Sequence, residues 1–331
     1  MNVEEFQAVR DLLRSFVTRF HAGPGAPEPE TQAAARQTLD DLGLAELRGS
    51  TPPPATAQEC ALLAEEYGRQ PMTTSFVGTA LLAPELLRLL GDSGTVPPDC
   101  AAPTIALAED LRFPGHDPSA GPGPGLVAWD CDGADAALCV AADGTVTVLE
   151  LGPAAPTADL ARAVRRIPKD SPAQNLGRLD AAQYAQWQAF ALVMVSSELL
   201  GAARSLLEQA VEYARERHQY GRAIGSFQAV QHLLADATVL VEGCTSATRY
   251  AAWCLDDQQP AQALKAARVA KAEANTSLPE VIRAAMQVFG GIAQTWEFPA
   301  HLYLRRILVG NLTLATTPDL LTLLADPEAV A

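Results

Sequence analysis

The sequence predicts a mainly α-helical fold with a small β domain in the middle of the chain. Apolar residues recur at helical spacing near the N-terminus, and longer helical stripes fill the C-terminal part. Between them lie short apolar runs bounded by turn residues, a pattern typical of strands. We therefore expect an N-terminal helical domain over residues 1–100, a reduced β domain over 101–175 and a C-terminal four-helix bundle over 176–331.

The N-terminal region is predicted to contain four helices. The first has an apolar face formed by Phe6, Val9, Leu12, Leu13 and Phe16. The Gly- and Pro-rich residues 23–27 end it. Three further helices are expected over about 30–42, 57–67 and 74–90. The prolines at 52–54 form a rigid connector because their φ angles are fixed.

The middle region is predicted to form strands at four apolar runs, over 104–107, 126–129, 136–140 and 145–151. Asp143-Gly144 lies between the third and fourth runs and is a typical hairpin turn. The Gly- and Pro-rich stretch 114–125 is predicted to be a loop. Because these runs are few and short, the β domain should be small.

The C-terminal region is predicted to be helical from about residue 179 onward. One apolar stripe is formed by Leu200, Ala203, Leu207, Val211 and Ala214. Gly221 is the predicted left-handed stop of this helix, and Ser226 is the predicted N-cap of the next, which runs to about Leu255. A third helix is expected over 261–289, ended by Gly290-Gly291, and shorter helices over 299–309 and 318–324.

Composition excludes several classes of function. The chain has 24 basic and 39 acidic residues, a formal net charge of −15, which disfavours binding to nucleic acids or anionic membranes. We find no apolar run long enough to span a bilayer and expect no signal peptide, because the first residues are acidic. The six cysteines include no Cys-x-x-Cys pair, so we expect reduced thiols in a cytoplasmic protein.

Three short motifs carry the functional signal. Residues 217–221 read Arg-His-Gln-Tyr-Gly, residues 227–231 read Phe-Gln-Ala-Val-Gln, and residues 287–291 read Gln-Val-Phe-Gly-Gly. They resemble the flavin-contacting elements of acyl-CoA dehydrogenases, which have Arg-x-Gln-Phe-Gly, Phe-Gln-x-Val-Gln and Gln-x-x-Gly-Gly. The resemblance extends over nearly the whole chain, but it is strong only from about residue 201 to 303.

The resemblance implies that these motifs contact the FAD of a neighbouring subunit. The implied cofactor-binding residues are Arg217, Gln219, Tyr220, Gln228, Gln287, Gly290 and Gly291. Their chemistry suits a pyrophosphate, since an arginine fork matches phosphate oxygens and glycine lets the backbone approach closely. Tyr220 stands where the family usually has Phe.

The catalytic base of the family has no counterpart in this sequence. The reaction requires a carboxylate that removes the Cα proton of an acyl-CoA thioester. Most members place a Glu in a Tyr-Glu-Gly-Thr sequence, but here the position is Leu314, or Thr313 if the register slips. In other members the base lies on an earlier helix, where this chain has Ala191. We therefore predict no catalytic residue.

The β domain also departs from the family pattern. Residues 106–111 replace the Thr-Glu-Pro-x-x-Gly-Ser element, and Trp129-Asp130-Cys131 replaces the Trp-Ile-Ser or Trp-Ile-Thr element. The chain thus resembles the degenerate, shorter subunit of α2β2 heterotetrameric acyl-CoA dehydrogenases of steroid side-chain degradation. That resemblance implies a homologous catalytic subunit as partner, a steroid acyl-CoA as substrate and electron transfer flavoprotein as electron acceptor.

Two other interpretations stay open. The chain could be a self-sufficient homo-oligomeric flavoenzyme whose base is Glu198 or Glu109, or a flavin-free assembly or regulatory protein. A di-iron site is not expected, because no histidine lies three residues after a glutamate. Trp253 and Trp296 are predicted to serve in core or interface packing.

Overall fold

The computed structural model describes residues 2–23, 28–91, 96–97, 100–114 and 125–326. Its N-terminal α-helices are α1 Val3–Phe20, α2 Pro29–Asp41, α3 Ala57–Gly68 and α4 Ala83–Leu90. A 3-10 helix, Leu44–Arg48, lies between α2 and α3, and a π-helix, Val77–Leu82, leads into α4. Asn2 and Thr56 close capping boxes at the starts of α1 and α3. Of the predicted break at 23–27, residues 24–27 lie outside the described part of the chain.

Two details of this helical region differ from the prediction. Leu12 is 55% exposed, so the buried face of α1 is formed by Leu13, Phe16 and Val17. The fourth helical stretch begins at Val77 rather than at residue 74. The reason is that Asp130 accepts hydrogen bonds from the backbone amides of Phe76 and Gly78, which fixes a non-helical start.

The β domain is one six-stranded sheet of order β5-β2-β1-β3-β4-β6. Its strands are β1 Pro103–Ala108, β2 Leu126–Trp129, β3 Ala136–Val140, β4 Thr145–Glu150, β5 Val164–Arg166 and β6 Ala173–Arg178. Strands β1 and β3 pair in parallel and all other neighbours are antiparallel. The hairpin predicted at Asp143-Gly144 joins β3 to β4, with Gly144 at φ 86°. In the predicted loop 114–125, residues 115–124 lie outside the described part.

The sequence analysis missed strands β5 and β6. Both lie at the edges of the sheet, and both are rich in Arg, Asn or Gln instead of alternating apolar residues. An edge strand is stabilised by one ladder of backbone hydrogen bonds and needs little apolar burial. Hydrophobic periodicity therefore carries no signal for such strands.

The C-terminal region is built from helices α5 Ala181–Glu216, α6 Gln228–Asp257, α7 Pro260–Phe289, α8 Ala300–Gly310 and α9 Thr317–Ala325. The three long helices pack against one another, and α8 and α9 together cover the fourth side by contacting α5 and α7. A short hairpin of β7 His218–Gln219 and β8 Arg222–Ala223 connects α5 to α6. The mainly α-helical fold with a small sheet is thus confirmed, while the domain boundaries stay a prediction.

Helix α5 is the central element of the molecule. It is long and apolar enough to cross a membrane, contrary to the prediction, but 94% of its most apolar window is buried inside the protein. It approaches α3 so closely that a Cβ at Gly201 would overlap the carbonyl oxygen of Glu65, and a Cβ at Gly68 would overlap that of Glu198. Two glycines therefore permit this helix contact.

Candidate functional site

The seven predicted cofactor-binding residues lie at one end of the helical bundle. Helices α5 and α7 end there and α6 begins there, and the Tyr213 ring near the end of α5 lies 5.2 Å from the Phe289 ring at the end of α7. All seven residues are exposed: Arg217, Gln219, Tyr220, Gln228, Gln287, Gly290 and Gly291. The fold gathers three separate sequence segments on one accessible surface, which we call the bundle-end surface.

The first motif forms a tight hairpin rather than a helix end. Helix α5 ends at Glu216, five residues before Gly221, so the predicted stop is wrong. Tyr220 and Gly221 both have positive φ, 56° and 77°, as a two-residue hairpin loop of type I′ requires. A tyrosine in this conformation is strained, and such strain is kept mainly at functional positions.

Ser226 does not cap α6 as predicted. Its Oγ donates to the carbonyl oxygen of Ala223 at 2.7 Å, and Phe227 occupies the N-cap position without a side-chain hydrogen bond. The Phe227 ring instead lies under the Arg222 guanidinium, 4.1 Å from the ring centroid, and meets the Tyr220 ring edge-on at 6.2 Å. The hairpin is therefore fastened to the start of α6 by aromatic and cation–π contacts.

Arg217 is the best placed cation for binding an external anion. Its backbone amide closes the end of α5 by donating to Tyr213, but its guanidinium makes no hydrogen bond or ion pair with any residue in the described part of the chain. Arg215, two residues earlier, is by contrast paired with Glu212 at 3.1 Å. In a chain of net charge −15, an exposed and uncommitted arginine beside the N-terminus of α6 is a local attraction for an anion.

The Gly-Gly motif ends α7. Gly290 has φ 67° and therefore needs glycine for conformational reasons. Gly291 has no positive φ, and a Cβ added there would meet nothing within 4 Å. The fold of this chain alone thus gives no reason for glycine at position 291, which fits a surface approached closely by an outside group. Together with Arg217, this open backbone suits the pyrophosphate of FAD.

The position expected for the catalytic base is part of the core. Leu314 is fully buried at φ 71°, and its backbone joins the β domain: its amide donates to Leu111 at 2.8 Å and its carbonyl accepts from Phe113 at 3.1 Å. Thr313 is also buried, with its hydroxyl donating to Val309. Ala191, at the alternative position, is buried in α5. None of these three side chains can remove a proton.

Glu198, one of the two displaced bases considered, is fully buried and fully engaged. Its carboxylate accepts hydrogen bonds from Arg162 at 2.6 and 2.7 Å and from Arg306 at 2.8 Å. The same two arginines also pair with Asp159, and Arg162 pairs with Asp130 at 2.7 Å. A carboxylate held by two guanidiniums has no free lone pair facing an accessible substrate, so the geometry argues against Glu198 as the base.

These five residues form a buried charge cluster that the sequence analysis missed: Asp130, Asp159, Arg162, Glu198 and Arg306. Burial alone would lower the pKa of Arg162, but the surrounding carboxylates outweigh it and raise that pKa above the ordinary arginine value. The cluster connects the β domain with α5 and α8. Asp159 and Arg162 are at i and i+3, but Glu198 meets Arg162 across 36 residues and Arg306 across 108, so local spacing could not have revealed the cluster.

The cluster also uses the residues that replace the ring-binding element of the β domain. Trp129 is buried with its ring 4.4 Å from the Arg162 guanidinium, and Asp130 caps the π-helix region through the amides of Phe76 and Gly78. Neither side chain is exposed for a flavin ring. Glu109, the other displaced base considered, is exposed just beyond β1, where its amide donates to Gly125.

A buried lysine is a second feature without a local sequence signal. Lys271 on α7 is fully buried and donates to the carbonyl oxygen of Gly310 at 2.8 Å and to Asn275 at 2.5 Å. Asn275 in turn donates to Ala315 at 3.2 Å. Desolvation lowers the pKa of Lys271 to about 7. This pair holds both ends of the connector that contains Leu314.

Comparisons with known proteins agree with this architecture. Residues 184–313 match the family model described as acyl-CoA dehydrogenase, C-terminal domain. The acyl-CoA dehydrogenase IpdE2 of Mycobacterium tuberculosis (strain ATCC 25618 / H37Rv) is 29% identical over 324 residues, which cover 92% of this chain and 91% of that protein. The acyl-CoA dehydrogenase FadE34 of the same organism is 41% identical over 116 residues, which cover 35% of this chain but only 16% of that protein.

Solved structures of low sequence identity have the same fold. The Tcur3481-Tcur3483 steroid ACAD G363A variant superposes with a TM-score of 0.77 at 24% identity, covering 98% of this chain and 97% of that one. The ChsE4-ChsE5 complex from Mycobacterium tuberculosis gives a TM-score of 0.69 at 20% identity, covering 97% and 96%. The family model matches the C-terminal part of the chain, and the nearly full-length relative and the shared fold agree with it: the chain as a whole has the fold of acyl-CoA dehydrogenases.

Proposed function

We propose that this chain is the non-catalytic subunit of a heteromeric FAD-dependent acyl-CoA dehydrogenase. It contributes the adenine and pyrophosphate half of a flavin site that lies across the interface with a homologous catalytic subunit. The single observation that carries the proposal is a contrast in burial. The predicted flavin-contacting residues are all exposed, whereas the base position is a core leucine.

In this assembly each side of the site has its own task. When bound, FAD accepts the hydride that leaves the Cβ of the acyl group. Arg217 binds pyrophosphate oxygens through its planar fork, while Gln219, Gln228 and Gln287 offer neutral amide donors. Gly290 and Gly291 leave room for the dinucleotide to lie against the backbone. The proton at Cα is removed by a carboxylate of the catalytic subunit.

The relatives support the finer points of the proposal. One structural relative is named a steroid ACAD and another is named a complex of two chains, ChsE4 and ChsE5. We extend these properties to this chain: an α2β2 heterotetramer, a steroid side-chain acyl-CoA thioester as substrate, electron transfer flavoprotein as acceptor and the cytoplasm as location. A bulky substrate is compatible with the proposal because its pocket would be formed by the catalytic subunit.

The competing functions are less well supported. A self-sufficient enzyme needs a base, and Glu198 is held by Arg162 and Arg306 inside the protein. Glu109 keeps that possibility open because it is exposed. A flavin-free assembly protein would give no reason for a strained Tyr220 and an uncommitted Arg217 on the bundle-end surface.

The proposal is tested by visible absorption spectra of two samples. One is the chain purified alone, and the other is the chain co-produced with an acyl-CoA dehydrogenase encoded by a neighbouring gene. We expect a colourless chain alone and a yellow oligomer with its partner, near one FAD per pair of unlike subunits. A chain that is yellow alone, and bleached by an acyl-CoA, would favour the self-sufficient enzyme. A complex that forms without flavin would favour the assembly protein.

Arg217→Ala provides the residue-level test. The variant should lower the FAD content of the complex without unfolding it, since the Arg217 side chain makes no hydrogen bond or ion pair within the described part of the chain. Arg215→Ala is the matched control because Arg215 is also exposed, lies two residues away and pairs with Glu212. Equal FAD content in the two variants would remove Arg217 from the site.

A further inference from the structure

Trp296 is an exposed aromatic side chain beside the Gly-Gly motif. It follows the 3-10 turn Gly290–Gln294 that begins with the two glycines, and 53% of it is exposed. One of its faces is covered by the His301 ring, stacked at 4.7 Å with an interplanar angle of 18°. Trp296 is therefore not a core residue, and the alternative of interface packing stays a prediction. Its ring is supported from one side and offers the other to an outside group.

His301 keeps this stacked orientation although one of its ring nitrogens is left without a hydrogen bond among the described residues. Its Nε2 lies 3.2 Å from the Trp296 carbonyl oxygen, which can only accept, so Nε2 carries the proton. The Nδ1 atom is then a buried acceptor, and within the described residues it has no hydrogen-bond partner. Buried unsatisfied acceptors are rare and are typically retained where function requires the geometry. The fold thus holds the His301 ring nearly parallel to Trp296 and leaves the Nδ1 of His301 without a hydrogen bond among the described residues.

Aromatic contacts join the end of α5, which Arg217 follows, to the segment that carries Trp296. Tyr213, one turn before Arg217, contacts Phe289 at 5.2 Å, and Phe289 contacts Phe298 at 4.8 Å. Phe298 is two residues from Trp296. Three rings in contact, of which Phe289 is buried, therefore join the end of α5, where Arg217 lies, to the segment that carries Trp296.

We propose that Trp296, backed by His301, is the stacking platform for the adenine ring of the shared FAD. This inference rests on the proposed function and adds a residue to the half-site. Charge decides which part of the dinucleotide lies where. The exposed carboxylate of Glu297 beside the platform repels phosphate, so a neutral heterocycle belongs at Trp296 and the pyrophosphate belongs at Arg217. Every purine has a π-face that can stack on an indole.

The test compares FAD with FMN, which lacks the adenylate half. Flavin is removed from the complete complex, and the affinities for FAD and FMN are measured for wild type, Trp296→Ala, Trp296→Phe and Trp253→Ala. Trp253 is the matched control because it is also partly exposed and contacts another ring, Tyr250 at 5.8 Å, near the far end of α6. We expect Trp296→Ala to weaken FAD binding about 5- to 150-fold, the range that loss of one base stack gives.

FMN binding by Trp296→Ala should remain unchanged, and Trp296→Phe should retain most of the FAD affinity. An equal loss of affinity for FAD and FMN would mean that Trp296 contacts the partner protein instead of the adenine. No loss of affinity would mean that it contacts neither the cofactor nor the partner. Either result would overturn the proposal that Trp296 stacks on the adenine. Arg217→Ala in the same assay judges the proposed function separately. If the wild-type complex binds no FAD, both proposals fail together.

Discussion

Arg306→Met is expected to destabilise the protein strongly, because it removes one of two cations from the buried charge cluster. The substitution leaves Asp159 and Glu198 facing Arg162 alone and removes donors to the carbonyl oxygens of Met72 and Ala161. Removing one partner of a buried ion pair costs about 3–5 kcal/mol. At about 2–4 °C per kcal/mol, the melting temperature should fall by about 6–20 °C.

The matched control is the neighbouring arginine. Arg305 is only half-buried and, among the described residues, donates one hydrogen bond, to the Ala158 carbonyl at 3.2 Å. Arg305→Met should therefore change the free energy of unfolding by less than about 1 kcal/mol. Both variants are measured by thermal melting and by urea unfolding. Similar stabilities for the two variants would refute the view that the cluster holds the domains together.

A second substitution separates charge balance from simple loss of packing. In the Arg306→Met background, Glu198→Gln removes one of the carboxylates that face the remaining Arg162. If repulsion among unpaired carboxylates dominates, the double variant should be more stable than Arg306→Met alone. If Arg306 matters only through its volume and its backbone contacts, Glu198→Gln should lower stability further.

Two other predictions concern α5 and α7. Gly201→Ala should lower the free energy of unfolding by several kcal/mol, because the added Cβ would overlap the Glu65 carbonyl. The control is Gly243→Ala, whose Cβ would lie 3.7 Å from Glu273 and should be neutral or stabilising by about 1 kcal/mol. Both variants are measured by urea unfolding. Equal effects would contradict the close helix crossing. Burial lowers the pKa of Lys271 from 10.5 to about 7. Between these pH values the unfolded chain therefore binds more protons than the folded one, so the free energy of unfolding should rise with pH. Lys271→Met should flatten that rise; an unchanged slope would assign it to other groups.

The sequence predicted those helices and strands whose buried residues recur at regular spacing. Helices α3, α5 and α7 each bury a continuous face, so their apolar spacing located them within a few residues. The edge strands β5 and β6 have no such spacing and were missed. The end of α5 was misplaced because Gly221 serves the hairpin loop, a role that uses the same positive φ as a helix stop.

The candidate site divides in the same way. Its exposed motifs could be recognised in the sequence because each lies within a few consecutive residues, and flavin binding by them stays a prediction. The buried charge cluster was not predictable, because Glu198 meets Arg306 across 108 residues of sequence and only the fold brings them together. A lone glutamate near the expected base position therefore attracted a catalytic interpretation that its two arginine partners contradict.

The two halves of a flavin dehydrogenase site place opposite demands on the chain that carries them. Leu314, at the position predicted for the base, is part of the core and joins the β domain to the bundle through two backbone hydrogen bonds. An exposed half-site contributes little to the stability of its own chain, since surface substitutions usually change it by less than about 0.5 kcal/mol. The open backbone at Gly291 and an Arg217 side chain without a partner among the described residues therefore gain nothing from folding alone. A dinucleotide bound between two subunits, as proposed above, would account for both.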